Sequence, residues 1–347
     1  MSAQQRTSAP LLDEERLAAH LAQAIPGFGR LVATRKFAGG QSNPTFLVEA
    51  EGGRYVLRRK PPGVLLASAH AVEREYAVMA ALADSAVPVP RVRHLCEDAG
   101  VIGSVFFVMD HVEGRVFFDP RLPDAAADER AGLYDAMNAT LAALHDVDPG
   151  AVGLGAFGRP GGYFARQTKR WSEQYRASET QSHPALDAAI VWLSENVPAD
   201  DGTFSIVHGD FRHDNMIFAP DAPRVAALID WELSTLGHPL ADLAYQVAQW
   251  RCPAGGPFPG LGGIDRAALG IPSDEAYIAA YARRRGLADL PDWRFAIVFA
   301  LFRIAAILQG VYRRALDGNA SNRESGLSMG TMVPLLAGLA AQELERA

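Results

Sequence analysis

Apolar residues along this chain follow two different periods. In the first 110 residues, short stretches alternate every second position: 37–57, broken by Gly39-Gly40 and by Gly52-Gly53, then 91–96 and 105–110. Alternation sends successive side chains to opposite faces, so these stretches predict strands. The first is read as two strands joined by a tight turn, with the glycine pair at its head. Helical spacing covers 11–25, where Asp13 is placed to cap the start, and about 67–84, ended by Pro88 and Pro90. Two strands, a helix and two strands describe a small antiparallel sheet with one packed helix. From residue 128 onward the spacing is mostly helical, over 128–144, 163–175, 184–196, 274–285 and 293–316. One island of short apolar runs interrupts it: 204–207, 216–218 and 225–229, with the turn Pro220-Asp221-Ala222-Pro223 before the last. The Gly/Pro-rich stretch 253–263 reads as a mobile loop.

A length of 347 residues suits two lobes of unequal size, 1–110 and 111–347, rather than one average domain. The net charge of −7 argues against nucleic acid, whose phosphates require basic surface. The acidic excess is local, with 19 acidic against 11 basic residues in 115–259 and near balance in 260–347. A metal-dependent site would help explain it. Two cysteines, Cys96 and Cys252, stand far apart and outside any metal-ligand spacing, so neither a disulfide nor a zinc site is expected. The N-terminal segment through about Arg16 lacks the apolar stretch of a signal peptide. The most apolar run, 295–308, carries Arg303 and is too short to span a bilayer. The expectation is a soluble cytoplasmic protein with no nucleic-acid or membrane partner. Nothing in the pattern fixes its oligomeric state.

The β island holds the chemistry. His208-Gly209-Asp210 is followed by Asn215, and then by Asp230 at the end of the next strand. Phosphoryl transfer needs a carboxylate to take or orient a hydroxyl proton, oxygen ligands to hold Mg²⁺, and a rigid frame. Asp210 sits where a strand opens into a loop. The turn at 220–223 folds the chain back and brings Asp230 beside Asn215 as a second hard oxygen ligand. A lone His-x-Asp is usually only a hydrogen-bonded loop. Its joint occurrence with Asn215 and Asp230 is what points to catalysis. His208 is expected to hold the loop by hydrogen bonds, and His213 and Asp214 read as solvated loop residues, Asp214 as a further candidate for the metal. Zinc bound by His208, His213 and His238 is not supported by their spacing. Arg303, inside an apolar run, reads either as a helix-face salt bridge or as a contact for an anionic substrate.

The run His208-Gly209-Asp210-Phe211-Arg212-His213-Asp214-Asn215 resembles the catalytic loop of the aminoglycoside phosphotransferase and choline kinase superfamily, and Ile229-Asp230-Trp231-Glu232 resembles its metal-binding segment. The resemblance covers nearly the whole chain. It implies an α+β, two-lobed protein-kinase-like fold, with a small antiparallel-sheet N-lobe and a mainly helical C-lobe. It implies an ATP- and Mg²⁺-dependent small-molecule kinase, with Asp210 as base assisted by His208 and with Asn215 and Asp230 on the metal. Gly39-Gly40-Gln41-Ser42-Asn43 is similar to the nucleotide loop, where Gly39, Gly40 and Ser42 would meet phosphate. Met109, His111 and Val112 lie in the segment similar to the adenine-binding hinge. The third strand departs from the pattern, because Arg58 stands in the lysine slot. An arginine fork is not interchangeable with an ammonium, and Lys60 on the same face is the alternative. Glu75 is the expected partner of Arg58, with Glu73 second. Asp242, in Gly237-His238-Pro239-Leu240-Ala241-Asp242-Leu243, would be structural, and Trp231 would pack between the lobes rather than touch substrate.

Within the superfamily, 55–63 and 231–243 look most like the acyl-CoA dehydrogenase-associated branch. That branch implies a hydroxy acid or hydroxyacyl thioester as acceptor, and the lack of anionic excess in 260–347 leans the same way. The alternatives are an aminoglycoside or other amino-sugar phosphotransferase, a nucleotide-binding pseudokinase acting as sensor or scaffold, and, last, a protein kinase. Whether ATP or GTP is preferred stays open.

Overall fold

The computed structural model describes residues 12–37, 43–61, 71–159, 161–320 and 322–346. The chain divides into two compact units, 1–83 with 89–112, and 84–88 with 113–347. Gly39, Gly40 and Ser42 lie outside the described residues.

The first unit runs α1 (Glu14–Ala24), β1 (Leu31–Lys36), β2 (Thr45–Ala50), β3 (Gly53–Arg59), α2 (Val72–Leu82), β4 (Val92–Cys96) and β5 (Phe106–Asp110). Asp13 caps α1 by accepting the Arg16 N–H at 3.1 Å. The strands form one antiparallel sheet in the order β1-β2-β3-β5-β4. The turn between β2 and β3 demands glycine, because a Cβ on Gly52 would lie 1.8 Å from the Gly27 carbonyl oxygen. Strand β1 was not anticipated. Its Leu-Val-Ala-Thr-Arg-Lys run edges the sheet with no fully buried residue, so it lacks the alternation that marks a half-buried strand.

The second unit comprises α3 (Ala127–Asp146), α4 (Tyr163–Ser178), α5 (Pro184–Glu195), β6 (Ser205–Val207), β7 (Met216–Phe218), β8 (Val225–Leu228), β9 (Thr235–Gly237), α6 (Leu240–Trp250), α7 (Asp274–Arg284), α8 (Trp293–Leu316), α9 (Arg323–Met329) and α10 (Met332–Glu345). Short 3-10 turns occupy His213–Asn215 and Trp231–Leu233. Helix α8 is the axis of the unit and packs on α4, α5, α6, α9 and α10. By length and composition α8 could cross a membrane, with a mean hydropathy of 2.0 over its most apolar window, but 78% of that window is buried inside the fold. Helices α6, α9 and α10 were not anticipated. All eleven residues of α6 are buried, so it shows no polar face to set a period. The 253–263 stretch is not a free loop. Backbone N–H groups of Ala254, Gly260, Leu261 and Gly262 bond to carbonyls of Gly262, Pro253, Trp250 and Cys252.

Candidate active site

The β island folds into two short ladders, β7 with β8 and β6 with β9, and the chemistry-bearing residues stand at their ends. Asp210 follows β6, Asn215 closes the 3-10 turn before β7, and Asp230 comes two residues after β8. The Ile229 N–H donates to the Asn215 carbonyl at 2.9 Å, which sets the next residue, Asp230, alongside Asn215. The Asn215 amide nitrogen donates to the Asp210 carbonyl at 2.9 Å and to Asp210 Oδ2 at 3.0 Å. That commits the nitrogen end of the amide and turns its oxygen to another use. Asp230 holds a left-handed backbone, φ 68° and ψ 62°, a conformation that costs about 1–3 kcal/mol in a non-glycine residue and persists only where the surroundings impose it.

The loop is rigid for identifiable reasons. His208 is fully buried. Its Nε2–H donates to the Ile229 carbonyl at 2.9 Å, and its Nδ1 accepts the Asp210 N–H at 3.2 Å. With both ring nitrogens spent on backbone, His208 ties the Asp210 loop to the strand end that carries Asp230. Trp231 packs on the His208 ring at 4.7 Å and donates its indole N–H to the Leu228 carbonyl at 3.0 Å. Gly209 has φ +85°, and a Cβ there would meet the Leu233 carbonyl oxygen at 2.6 Å, so only glycine fits.

Beneath the loop lies Asp242, fully buried at the start of α6. It accepts the His208 N–H at 2.6 Å on Oδ2 and the Gly209 N–H at 2.8 Å on Oδ1. His145 Nε2 reaches the same Oδ2 at 3.4 Å, and its Nδ1 lies 2.7 Å from the Tyr281 hydroxyl. A carboxylate only accepts, so His145 carries its proton on Nε2 and its Nδ1 accepts a hydrogen bond from the Tyr281 hydroxyl. Burial works against the Asp242 charge, yet donation from His145 and the backbone holds its pKa below the ordinary carboxylate value.

His213 and Asp214 are not solvated. His213 is buried, and Asp214 is paired with Arg212, whose Nε donates to it at 2.6 Å. Burial opposes the Arg212 charge, but the Asp214 and Asp210 carboxylates outweigh it and raise the pKa. Burial also lowers the pKa of His145 and of His213, leaving both neutral in the fold. Once unfolded, each takes up a proton below the ordinary histidine value of about 6.5. Stability is therefore expected to be complete above that pH and to fall on acidification. Each histidine contributes up to about 1.4 kcal/mol per pH unit below 6.5. Urea unfolding at pH 7.5 and 5.5 measures this, and a flat profile would contradict the buried neutral assignment.

Arg303 forms no ion pair with a carboxylate among the described residues. It is 5% exposed, donates from Nη2 to the Gly209 carbonyl at 2.7 Å, and stacks on Tyr245 (5.1 Å) and Trp171 (5.5 Å). Its Nε and Nη1 are buried without a hydrogen bond. Tyr245 also lies against the Asp210 side chain. Its phenol pKa is raised, by burial first and then by the Asp210 charge. Neither Tyr245 nor Trp171 was singled out from sequence.

In the first unit, Arg58 Nε lies 3.1 Å from Glu75 Oε1 in a buried pair that Asn43 joins by donating to the same oxygen at 3.0 Å. Lys60 pairs with Glu73 at 2.7 Å in a more exposed position. The geometry thus gives each cation its own glutamate, with the deeper pair at Arg58. Met109 sits in β5 opposite Val56 and Val92. The Asp110 and His111 N–H groups are already spent, on the Arg91 and Arg54 carbonyls at 2.8 and 3.1 Å.

A model of the phosphotransferase enzyme family matches residues 33–296. The chain belongs to the phosphotransferase enzyme family. Its similarity to acyl-CoA dehydrogenase family member 11 of Rattus norvegicus is 44% identity over 328 residues, 93% of this chain and 42% of the relative. The chain thus spans less than half the length of the curated relatives it matches first. A solved Ralstonia eutropha protein described as an aminoglycoside phosphotransferase superposes with a TM-score of 0.88 at 46% identity, covering 97% of this chain and 99% of that one. A thermostable mutant of the aminoglycoside phosphotransferase APH(4)-Ia, in a ternary complex with AMP-PNP and hygromycin B, shares the fold. Its TM-score is 0.61 at 18% identity, over 95% of this chain and 99% of that one. This phosphotransferase has the kinase-like α+β fold that its motifs implied, and it groups with the acyl-CoA dehydrogenase family members.

Proposed function

We propose that this phosphotransferase moves the γ-phosphoryl group of ATP, with Mg²⁺, to a hydroxyl of a small anionic molecule, a hydroxy acid or hydroxyacyl thioester. The observation that carries the reading is the junction of Asp210, Asn215 and Asp230, made by the Asn215 amide on Asp210 and the Ile229 N–H on Asn215. The donor set fits a hard cation. Asn215 has its nitrogen committed and its oxygen left for other use, and Asp230 brings a carboxylate held by a constrained backbone. Bound Mg²⁺ would neutralise phosphate charge as the phosphoryl group departs. Asp210 takes the acceptor's hydroxyl proton, His208 and Asp242 keep it in place, and Arg58, set by Glu75, steadies the phosphates. Tyr245 orients the Asp210 carboxylate.

Support for an anionic acceptor comes from Arg303, a buried guanidinium next to the catalytic loop with no carboxylate to neutralise it among the described residues. Its field favours a negative acceptor and disfavours a polycationic aminoglycoside. The relatives' name, acyl-CoA dehydrogenase family member, points to acyl chemistry as well.

Thermal unfolding with ATP and Mg²⁺ tests the site. Saturation at one hundred times the dissociation constant is expected to stabilise the protein by about 2.7 kcal/mol, and Asp230→Ala to lose the Mg²⁺-dependent part. An ADP-release screen of hydroxy acids, their coenzyme A thioesters and aminoglycosides then reads the acceptor. No shift with either ATP or GTP would overturn the nucleotide site. Turnover confined to aminoglycosides would overturn the anionic acceptor.

A further inference from the structure

Helix α1 and strand β4 bring together three side chains that no reading of spacing would connect. His94 and Cys96 are two apart on β4 and so share one face of the strand. His20, 74 residues before His94, meets that face from α1. The two imidazole Nε2 atoms lie 2.9 Å apart, and they and the Cys96 sulfur all fall within 4.8 Å of one another. Among the described residues this is the one group of histidine, cysteine and carboxylate side chains gathered so closely.

We propose that His20, His94 and Cys96 form a binding site for a zinc-class divalent cation, with three protein ligands and an open fourth position. Two imidazoles and one thiolate are a donor set that zinc and its neighbours favour. Tetrahedral bonds of about 2.0–2.1 Å to nitrogen and 2.3 Å to sulfur place the ligand atoms roughly 3.3–3.6 Å apart. The imidazole pair needs to part by only a few tenths of an ångström to admit the ion. Without an ion, one Nε2–H donates to the other Nε2; ligation through both Nε2 atoms would leave each ring's proton on Nδ1. The frame is firm on its inner side. The Phe106 ring stands edge-on to both imidazoles, at 5.9 and 6.4 Å, and Cys96 belongs to the core cluster with Leu17, Leu21 and Phe106. Both histidines are half-buried, so an ion has a way in from solvent. Burial raises the Cys96 thiol pKa, so metal uptake must release that proton and will weaken in acid. The ion would clip α1 to β4 within the first unit. The proposal does not rest on the phosphotransfer reading, since none of the three ligands is Arg58, Glu75 or a residue of 109–112, and the Asp210 loop lies in the second unit.

The test is titration of chelator-treated full-length protein with Co²⁺, followed by absorption. One equivalent is expected to give visible ligand-field bands and a thiolate-to-cobalt charge-transfer band, which Zn²⁺ then displaces. Cys96→Ser should abolish the charge-transfer band, whereas Cys252→Ser, at a buried cysteine in the other unit, should leave it intact. His94→Gln, checked for native circular dichroism, should weaken Co²⁺ binding at least tenfold while keeping the thiol. Zn²⁺ should also raise the Tm of wild type and not of Cys96→Ser. The absence of a thiolate band at one equivalent, or a band that survives in both Cys96→Ser and His94→Gln, would overturn the site. Thiolate chemistry distinguishes it from Co²⁺ held by oxygen ligands around Asp230.

Discussion

Replacing Asp210 by Asn is expected to lower phosphoryl transfer by 10²- to 10⁴-fold while ATP and Mg²⁺ still bind. That range is the usual contribution of a positioned general base. The substitution is nearly isosteric, and the new side-chain oxygen can still accept the Asn215 amide N–H that now lies 3.0 Å from Asp210 Oδ2. The backbone links, from Asp210 N–H to His208 and from Asn215 to the Asp210 carbonyl, are untouched. What disappears is the ability to take a proton at that point. Single-turnover ADP formation with the acceptor found by screening measures the loss, and nucleotide-dependent stabilisation checks that binding survives. A loss below tenfold would remove Asp210 from the role of base and leave positioning by the remaining groups as the source of rate.

Much of this site was legible because its logic is local. A hairpin is fixed by the turn between its strands, so a Pro-Asp-Ala-Pro turn is enough to carry Ile229 back to Asn215 and with it Asp230. The helices 163–175, 184–196, 274–285 and 293–316 were legible for a similar reason, since their amphipathic spacing or caps are written within one segment. The edge strand β1 and the all-buried helix α6 were not. One lacks a buried face and the other lacks an exposed one, and periodicity needs contrast between the two.

Convergence of distant segments was the other thing hidden. Trp171 on α4 and Tyr245 on α6 meet around Arg303 of α8 only because both helices pack on α8. Arg303 stood out as a charge in an apolar run, but nothing local told what it would face. His20, His94 and Cys96 are the same kind of case. The expectation of no zinc site weighed only spacing along the chain, and a strand face opposed to a helix creates proximity that spacing does not record.

The loop beneath the chemistry gives the largest stability effect, because Asp242 combines full burial, a charge and two backbone donors. Asp242→Ala is expected to destabilise the protein by about 3–5 kcal/mol. Each hydrogen bond to a charged group contributes about 1.5–3 kcal/mol, and removing the acceptor leaves the His208 and Gly209 N–H groups buried without partners. Asp242→Asn should do almost as much damage, since its amide cannot accept at both of the positions that now accept. Folding with Gly209 at φ +85° relies on this anchor, because the left-handed turn aims both N–H groups at one carboxylate. Tyr281→Phe, which removes only the outermost donor to His145, should cost far less, about 1 kcal/mol. Urea unfolding of the three variants separates the contributions. An Asp242→Ala loss near 1 kcal/mol would mean that water or a neighbouring group satisfies those amides, and the loop would then owe its shape to His208 and to the Gly209 contact with Leu233 instead.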